Sequence, residues 1–409
     1  MAEKTTRTRW KIGALVAAGA LVLAGGIGVA TAPSWARSPI GSEASAPARA
    51  VPGFAAPVVK PVQIGATPVD GAQHVNPALP VEAKAAGGKI TNVSLVADDG
   101  TEVQGTTSAD GSTWTAKGPL AFNATYTWNF TAVDGAGRET KKTETFQTVP
   151  TLYEADAAIY PQDGQQVGVA QPIEINFSEP VTNKAAVEKA IKITTTSHQA
   201  GAFHWYSDKK VRYRAKDFWA AHSTITVAMN LFGVDFGGGQ IGNFNKTISI
   251  PIGDKKVAIA DATAMKMTVS INDKPAGSWP VTMGDKRFPS ARGYLVLMGH
   301  QRKAHFVAAT IGLKPGDPAN YGELDVNYAT RLTWSGEFIH QATDTALPYL
   351  GVINLSHGCI GMSAQGAGWV FNHMGVGDVV KVVNTKGDYA DHTDGFGDWN
   401  IPWAQYAKR

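Results

Sequence analysis

Only one of the 409 residues is a cysteine, Cys359. One thiol excludes an intramolecular disulfide framework and an all-cysteine metal site. It leaves a residue that is either a small buried hydrophobe or a reactive group. A strong excess of one charge is also missing: 37 Lys and Arg stand against 34 Asp and Glu, a net charge of +3. Part of that surplus is Lys4, Arg7, Arg9 and Lys11 at the N-terminus, so the chain lacks the basic footprint of a nucleic-acid binder. No His-Glu-x-x-His, P-loop or dinucleotide glycine fingerprint occurs, and His300 and His305 lack zinc-motif spacing. Neither a metal nor an organic cofactor is expected. What the chain does have is 44% hydrophobic and 17% charged residues, enough for packed cores and against wholesale disorder. Its 44 Gly and 22 Pro point to many turns between short strands. At roughly 150 residues per domain, the length suggests about three folded units.

Residues 1–37 read as a signal peptide or signal anchor. Basic residues precede an uncharged run, 12–32, rich in Ala, Val, Leu and Gly. That run reaches the roughly 20 apolar residues needed to cross a bilayer. Cleavage after Ala32 or Ala36 fits the small-residue rule, with Pro33 arguing against the first. No Cys follows the run, which excludes a lipoprotein anchor. The one-sided positive flank directs the rest of the chain outward. The expected location is the periplasm or cell wall, with membrane contact only through this segment. Residues 38–57, mostly Ala, Pro and Ser, read as an extended tether.

Two units of similar size follow, 58–150 and 151–252. Pro68-Val69-Asp70-Gly71-Ala72-Gln73 recurs as Pro161-Gln162-Asp163-Gly164-Gln165-Gln166, and about 90 residues per repeat is the size of an Ig-like sandwich. Alternating runs such as 91–96 and 121–133 are separated by Asp-Gly turns at 99–100 and 110–111. A short helix is expected over 184–190. The simplest role for the two units is as spacers. The third unit, 253–409, is expected to be β-rich, with strands at 265–271, 278–281, 293–298 and 379–383 and a helix capped by Ser363. Pro280 would place its strand at a sheet edge.

The thiol lies in Leu355-Ser356-His357-Gly358-Cys359-Ile360-Gly361-Met362, between an apolar run at 350–353 and the Ser363 helix. This suggests a strand, a turn and a helix, with the side chain presented at the end of a sheet. Gly358 permits close backbone approach, and nearby N–H groups could hold an oxyanion. An ordinary thiol, with pKa about 8.5, is largely protonated at neutral pH and needs a base. His340 lies upstream, in Trp334-Ser335-Gly336-Glu337-Phe338-Ile339-His340.

Ser-His-Gly-Cys preceded at this distance by a histidine resembles the signature of the L,D-transpeptidase (YkuD-type) catalytic domain, over about 253–409. The exported anchor, the two Ig-like modules and the Gly395–Trp403 tail resemble the multidomain actinobacterial members. The fold class this implies is mainly β: two tandem Ig-like sandwiches, then a β-rich catalytic domain with one or more short helices. The resemblance implies that Cys359 is the nucleophile and His340 its general base and acid. His357 and Gly358 would shape the nucleophile turn, with the amides of Gly358 and Cys359 as oxyanion donors, and Ser356 would supply a supporting hydrogen bond. Tyr321, Met298 and His300 fall in or beside the region that forms the family's substrate lid. One departure stands out: Gly361 occupies the family's usual Asn position. The implied activity is acyl transfer on peptidoglycan stem peptides, giving 3→3 cross-links in wall biosynthesis and cell shape, with carbapenem β-lactams as covalent inhibitors. An L,D-carboxypeptidase, a protein-to-wall ligase and a non-catalytic wall-binding protein remain as alternatives.

Overall fold

The computed structural model describes residues 59–408. The expected export segment (1–37) and tether (38–57) lie outside them. The sequence repeat builds the same corner twice. Asp70 Oδ1 accepts the amide of Thr145 at 2.9 Å, and Asp163 Oδ1 accepts that of Ser249 at 2.8 Å. Gly71 and Gly164, with φ of 73° and 72°, donate to the carbonyls of those same two residues.

Each module has two main sheets closing on one core. In the first, Gln63–Thr67, Glu82–Ala86, Thr113–Ala116 and Gly105–Thr107 form one sheet, and Gly88–Ala97, Thr125–Asp134 and Glu139–Gln147 the other. Alternation in Thr125–Asp134 sends Tyr126, Trp128, Phe130 and Ala132 inward. In the second, Gly201–Ser207, Lys210–Ala215, Ile173–Phe177 and Ala157–Tyr160 oppose Ile191–Thr195, Thr224–Asn230 and Asn245–Pro251. Ile175, Val211, Ile225 and Ile250 meet between them, and the expected helix spans Lys184–Ala190.

The third region is built on a nine-stranded sheet. Its spatial order is Gly293–Val296, Val379–Val383, Lys256–Asp261, Lys266–Ile271, Lys274–Thr282, Ile360–Met362, Phe338–Gln341, Glu323–Arg331 and Gly299–Val307. The helix Ala364–His373 packs on this sheet through Ala367 and Val370, and Ser363 Oγ accepts the amide of Gly366 at its start.

Two strand expectations need correction. The strand holding Pro280 is central, not an edge. Its missing N–H is tolerated because the neighbour on one side pairs only with Val281 and Thr282. The apolar run 350–353 is a turn, not a strand. Val352 and Ile353 are exposed and have no sheet partner, while Thr282 Oγ1 and the Asn354 amide tie this segment down through hydrogen bonds.

The C-terminal tail leaves the nine-stranded sheet and crosses the second module. Strand Lys210–Ala215 turns Val211 and Tyr213 into its own core, while Arg212 and Arg214 on the opposite face are each only 2% exposed. The tail covers them. Arg212 donates to the carbonyls of His392 (2.8 Å) and Gly395 (2.9 Å) and forms ion pairs with Asp398 (2.8 Å) and Glu174 (2.7 Å). Arg214 donates to the Ile401 carbonyl at 2.9 Å and lies against Trp399, Trp403 and Tyr406.

Candidate active site

His340 sits on strand Phe338–Gln341, which runs parallel to Ile360–Met362 with Ile339 opposite Ile360 and His340 opposite Gly361. Side chains alternate along strands, so Cys359, immediately before Ile360, projects to the same face as His340. The local order is therefore turn, short strand and helix, rather than the expected strand, turn and helix. The Nδ1–H of His340 donates to the Gln341 carbonyl at 2.7 Å. That bond fixes the tautomer and leaves Nε2 as an acceptor. Burial holds the imidazole below its usual pKa, so it is neutral at neutral pH. Burial pushes the Cys359 thiol up to about 12, with the neighbouring Glu337 adding to the rise. The thiol donates to the Gly336 carbonyl at 3.6 Å rather than to His340.

The turn before the thiol is braced by three hydrogen bonds from two serines. Ser356 Oγ donates to the Cys359 carbonyl at 2.6 Å and accepts the Gly358 amide at 3.2 Å. Ser290 Oγ donates to the Gly358 carbonyl at 2.7 Å. Gly358 itself has φ 118°, and a Cβ there would stand 3.0 Å from Glu337 Oε1, so only glycine fits without strain. The amide of Gly358, one of the two expected oxyanion donors, is thus turned to Ser356. That of Cys359 has no acceptor among the described residues. His357 lines the same cavity as the thiol but is engaged elsewhere: its Nε2–H donates to the Ala319 carbonyl at 2.9 Å, and its ring contacts Phe288 and Tyr321. It therefore ties down the segment 308–322, within the stretch expected to form a lid, and Arg287 holds the same segment through Asp317.

Cys359, His340, Ser356, His357, Gly361 and Tyr321 line one cavity of about 810 Å³. Met298 and His300 do not. Met298 packs with Val296, Val379 and Phe396, and its amide bonds to Arg331, because strand pairing carries it to the other side of the sheet. His300 bonds Thr330 Oγ1 at 3.0 Å and meets Phe371 of the helix edge-on, and burial lowers its pKa. Several cavity residues were not singled out from sequence: Thr282, Arg331 and Trp334. Arg331 directs Nη1 to the carbonyls of Thr333 and Trp334 and lies over Phe338. Among the described residues, no cluster of three or more His, Cys, Asp or Glu side chains could hold a metal ion.

Residues 255–382 match the L,D-transpeptidase catalytic domain (YkuD), and residues 72–235 match a bacterial Ig domain. L,D-transpeptidase 2 of Mycobacterium tuberculosis (strain CDC 1551 / Oshkosh) is 37% identical over 344 residues, 84% of each chain. This chain belongs to the L,D-transpeptidase family. L,D-transpeptidase 5 of M. tuberculosis (strain H37Rv) is 28% identical over 82% of this chain and 74% of its own. A solved structure of the L,D-transpeptidase LdtMt1 in complex with imipenem is 32% identical and covers 55% of this chain and 97% of its own, with a TM-score of 0.48.

Gly361 departs from the usual motif of the L,D-transpeptidases, and the packing gives the reason. A Cβ at 361 would lie 2.8 Å from Thr282 Cγ2 and 3.4 Å from Ala342 Cβ. Thr282 cannot swing aside, since its Oγ1 donates to Ile353 O at 2.9 Å and accepts Leu355 N at 3.0 Å. Gly361→Asn is therefore expected to lose about 1–3 kcal/mol of stability through overpacking. Thr282→Ser removes the offending methyl and keeps both hydrogen bonds. In denaturant melts, the double variant should recover most of that loss; equal losses with and without Thr282→Ser would refute the packing account.

Proposed function

We propose that the protein is an L,D-transpeptidase that forms 3→3 cross-links in peptidoglycan through a Cys359 thioester. The observation that carries this reading is the His340–Gln341 hydrogen bond, which leaves Nε2 free as a base on the face that bears Cys359. With so high a pKa, the resting thiol is neutral, so deprotonation accompanies attack rather than preceding it. Rotation about Cα–Cβ takes the sulfur from Gly336 to His340. His340 accepts the proton as sulfur adds to the carbonyl joining the third residue's L-centre to D-Ala. The Cys359 amide is the donor for the developing oxyanion. The tetrahedral intermediate collapses as His340 returns the proton to the departing D-Ala amine. The side-chain amine of a neighbouring stem then attacks the thioester, with His340 taking its proton, and the thiolate leaves and is reprotonated. The 810 Å³ cavity is large enough for a peptide segment, and carbapenems acylate the same sulfur. Export by residues 1–37 and a tether at 38–57 would place this chemistry at the wall.

The test is mass spectrometry of muropeptides after incubation with disaccharide tetrapeptide. A dimer lacking one D-Ala is expected. Tripeptide without dimer would reassign the acceptor to water, and no product from folded protein would refute the reading. Because burial depresses His340, kcat/KM should rise with pH on one limb lying below the usual 6.5 and then stay flat through neutrality. An acid limb centred above 6.5 would refute the role given to His340.

A further inference from the structure

The sulfur rests against the carbonyl of Gly336, in a short loop, 334–336, that forms one wall of the cavity. From the cavity side this loop is held by Arg331 Nη1 on the Trp334 carbonyl, at 3.3 Å, and by the thiol itself. From within its own strand connection, Thr333 Oγ1 accepts the amides of Gly336 (3.2 Å) and Glu337 (2.9 Å) and meets Ser335 Oγ at 3.0 Å. From outside, Asp394 of the C-terminal tail takes Ser335 with both oxygens: Oδ1 accepts its amide at 2.7 Å and Oδ2 its hydroxyl at 2.5 Å. The next residue, Gly395, has φ 104°, and a Cβ there would stand 3.0 Å from Leu332 O and 3.2 Å from Met298 Sδ, so the tail lies flush on the segment leading into the wall. Asp394 is in turn bracketed by the two carbonyls, of His392 and Gly395, that Arg212 grips from the second Ig-like module.

We propose that Asp394, held by Arg212, is a positioning residue for acyl transfer: it fixes the Ser335–Gly336 wall against which the Cys359 sulfur rests. The second Ig-like module thereby takes part in shaping the active site instead of only spacing it. This inference rests on the transpeptidase reading for its effect on turnover. Its effect on the sulfur is independent of any substrate.

Releasing the wall has two consequences of the same sign for the thiol. The Gly336 acceptor withdraws and water gains access, and both favour the thiolate. The sulfur also faces Glu337, Arg331, Tyr321 and His340. Of these, Glu337 has its pKa raised by burial and further by the Asp394 charge, which Asp394→Ala and Asp394→Asn both remove. An alkylation shift in Asp394→Ala that Asp394→Asn does not share therefore belongs to the wall. Turnover should move the other way, because a wall displaced by about 1 Å costs up to about 100-fold in a positioned reaction.

The experiment uses the full chain and five proteins: wild type, Asp394→Ala, Asp394→Asn, Arg212→Lys and the Asp394→Ala/Arg212→Lys double variant. The pH profile of Cys359 alkylation by iodoacetamide reads the sulfur, and D-Ala release from disaccharide tetrapeptide gives kcat and KM, with melting curves confirming the fold. For Asp394→Ala, the alkylation midpoint should fall by about half to one pH unit, giving roughly 3–10-fold faster labelling below the midpoint. Its kcat should drop about 10–100-fold with KM within about twofold. Asp394→Asn keeps an acceptor for the Ser335 amide and should restore kcat to within about threefold of wild type. Arg212→Lys keeps the charge beside Asp398 but cannot fork onto both carbonyls. It should show the Asp394→Ala signature more weakly, and combine with that variant less than additively. An Asp394→Ala protein with wild-type alkylation and kcat overturns the proposal, as does a kcat loss with an unshifted alkylation profile, which would mark a merely structural role. If the midpoint shifts while no protein, wild type included, releases D-Ala, the transpeptidase reading falls and the positioning of the sulfur by Asp394 stands.

Discussion

Cys359→Ser is expected to abolish both D-Ala release and adduct formation with imipenem, a loss on the order of 10⁴-fold or more in kcat. The substitution is nearly isosteric, so the reason is chemical. The thiol is already held protonated by burial, and the base beside it is weakened by burial as well. A thiol can still react under these conditions, because sulfur is intrinsically nucleophilic and its proton needs to move only part of the way in the transition state. A hydroxyl in the same pocket has neither advantage. Ser356 does not substitute for it, since its Oγ is engaged by the Cys359 carbonyl and the Gly358 amide. Stability should stay within about 1 kcal/mol of wild type, so loss of activity with an unchanged melting curve separates nucleophile from scaffold. Intact-protein mass spectrometry after imipenem exposure is the direct measurement. A persistent adduct on the serine variant would show that another residue is acylated.

Arg212→Met should cost about 3–5 kcal/mol, the usual result of removing one partner from a buried ion pair. Asp398 is fully buried and Glu174 nearly so, and both would be left facing an apolar side chain. Burial alone would pull the Glu174 carboxyl up, yet Arg212 holds it below the usual carboxylate range. That contribution to stability is present above the ordinary carboxylate pKa and is lost as pH falls through the depressed folded value. For a unit of this size, the expected drop in Tm is about 10 °C, read by calorimetry. Adding Asp398→Asn removes one stranded charge and should recover about 1–2 kcal/mol. A single Arg212→Met variant that melts with the wild type would show that the network adds nothing to the fold.

The parts legible in the sequence were those where local chemistry and position agree. The Asp-Gly corner at 70–71 and 163–164 repeats because an aspartate and a left-handed glycine make the same turn wherever they occur. The helix at 364–373 was readable from Ser363, a residue that caps. The Ser356 hydroxyl, His340 and Cys359 stood out through spacing and the family motif. What escaped was set by contacts distant in sequence. Val211, Arg212, Tyr213 and Arg214 alternate like a strand with one wet face, and only the tail, some 180 residues later, makes that face dry. Two arginines alternating with apolar residues in an otherwise hydrophobic strand were the one available signal. His300 has the chemistry of a binding residue, but pairing with Thr330 turned it toward the helix. The amide of Gly358 could be assigned only once the Ser356 side chain had a position.

The crossing of the tail over the second module has a bearing on evolution. Residues 255–382 carry the family's catalytic match, whereas Asp394 and Asp398 lie beyond it, in a tail gripped by Arg212 and Arg214 from before it. A recombination event that exchanged residues 255–382 alone would keep the two arginines with their tail, yet would set Asp394 against a foreign cavity wall in place of Ser335. The second module and the catalytic region are therefore expected to be inherited together, as one heritable block, whereas the first module, which the tail does not touch through any of these bonds, is free of that constraint.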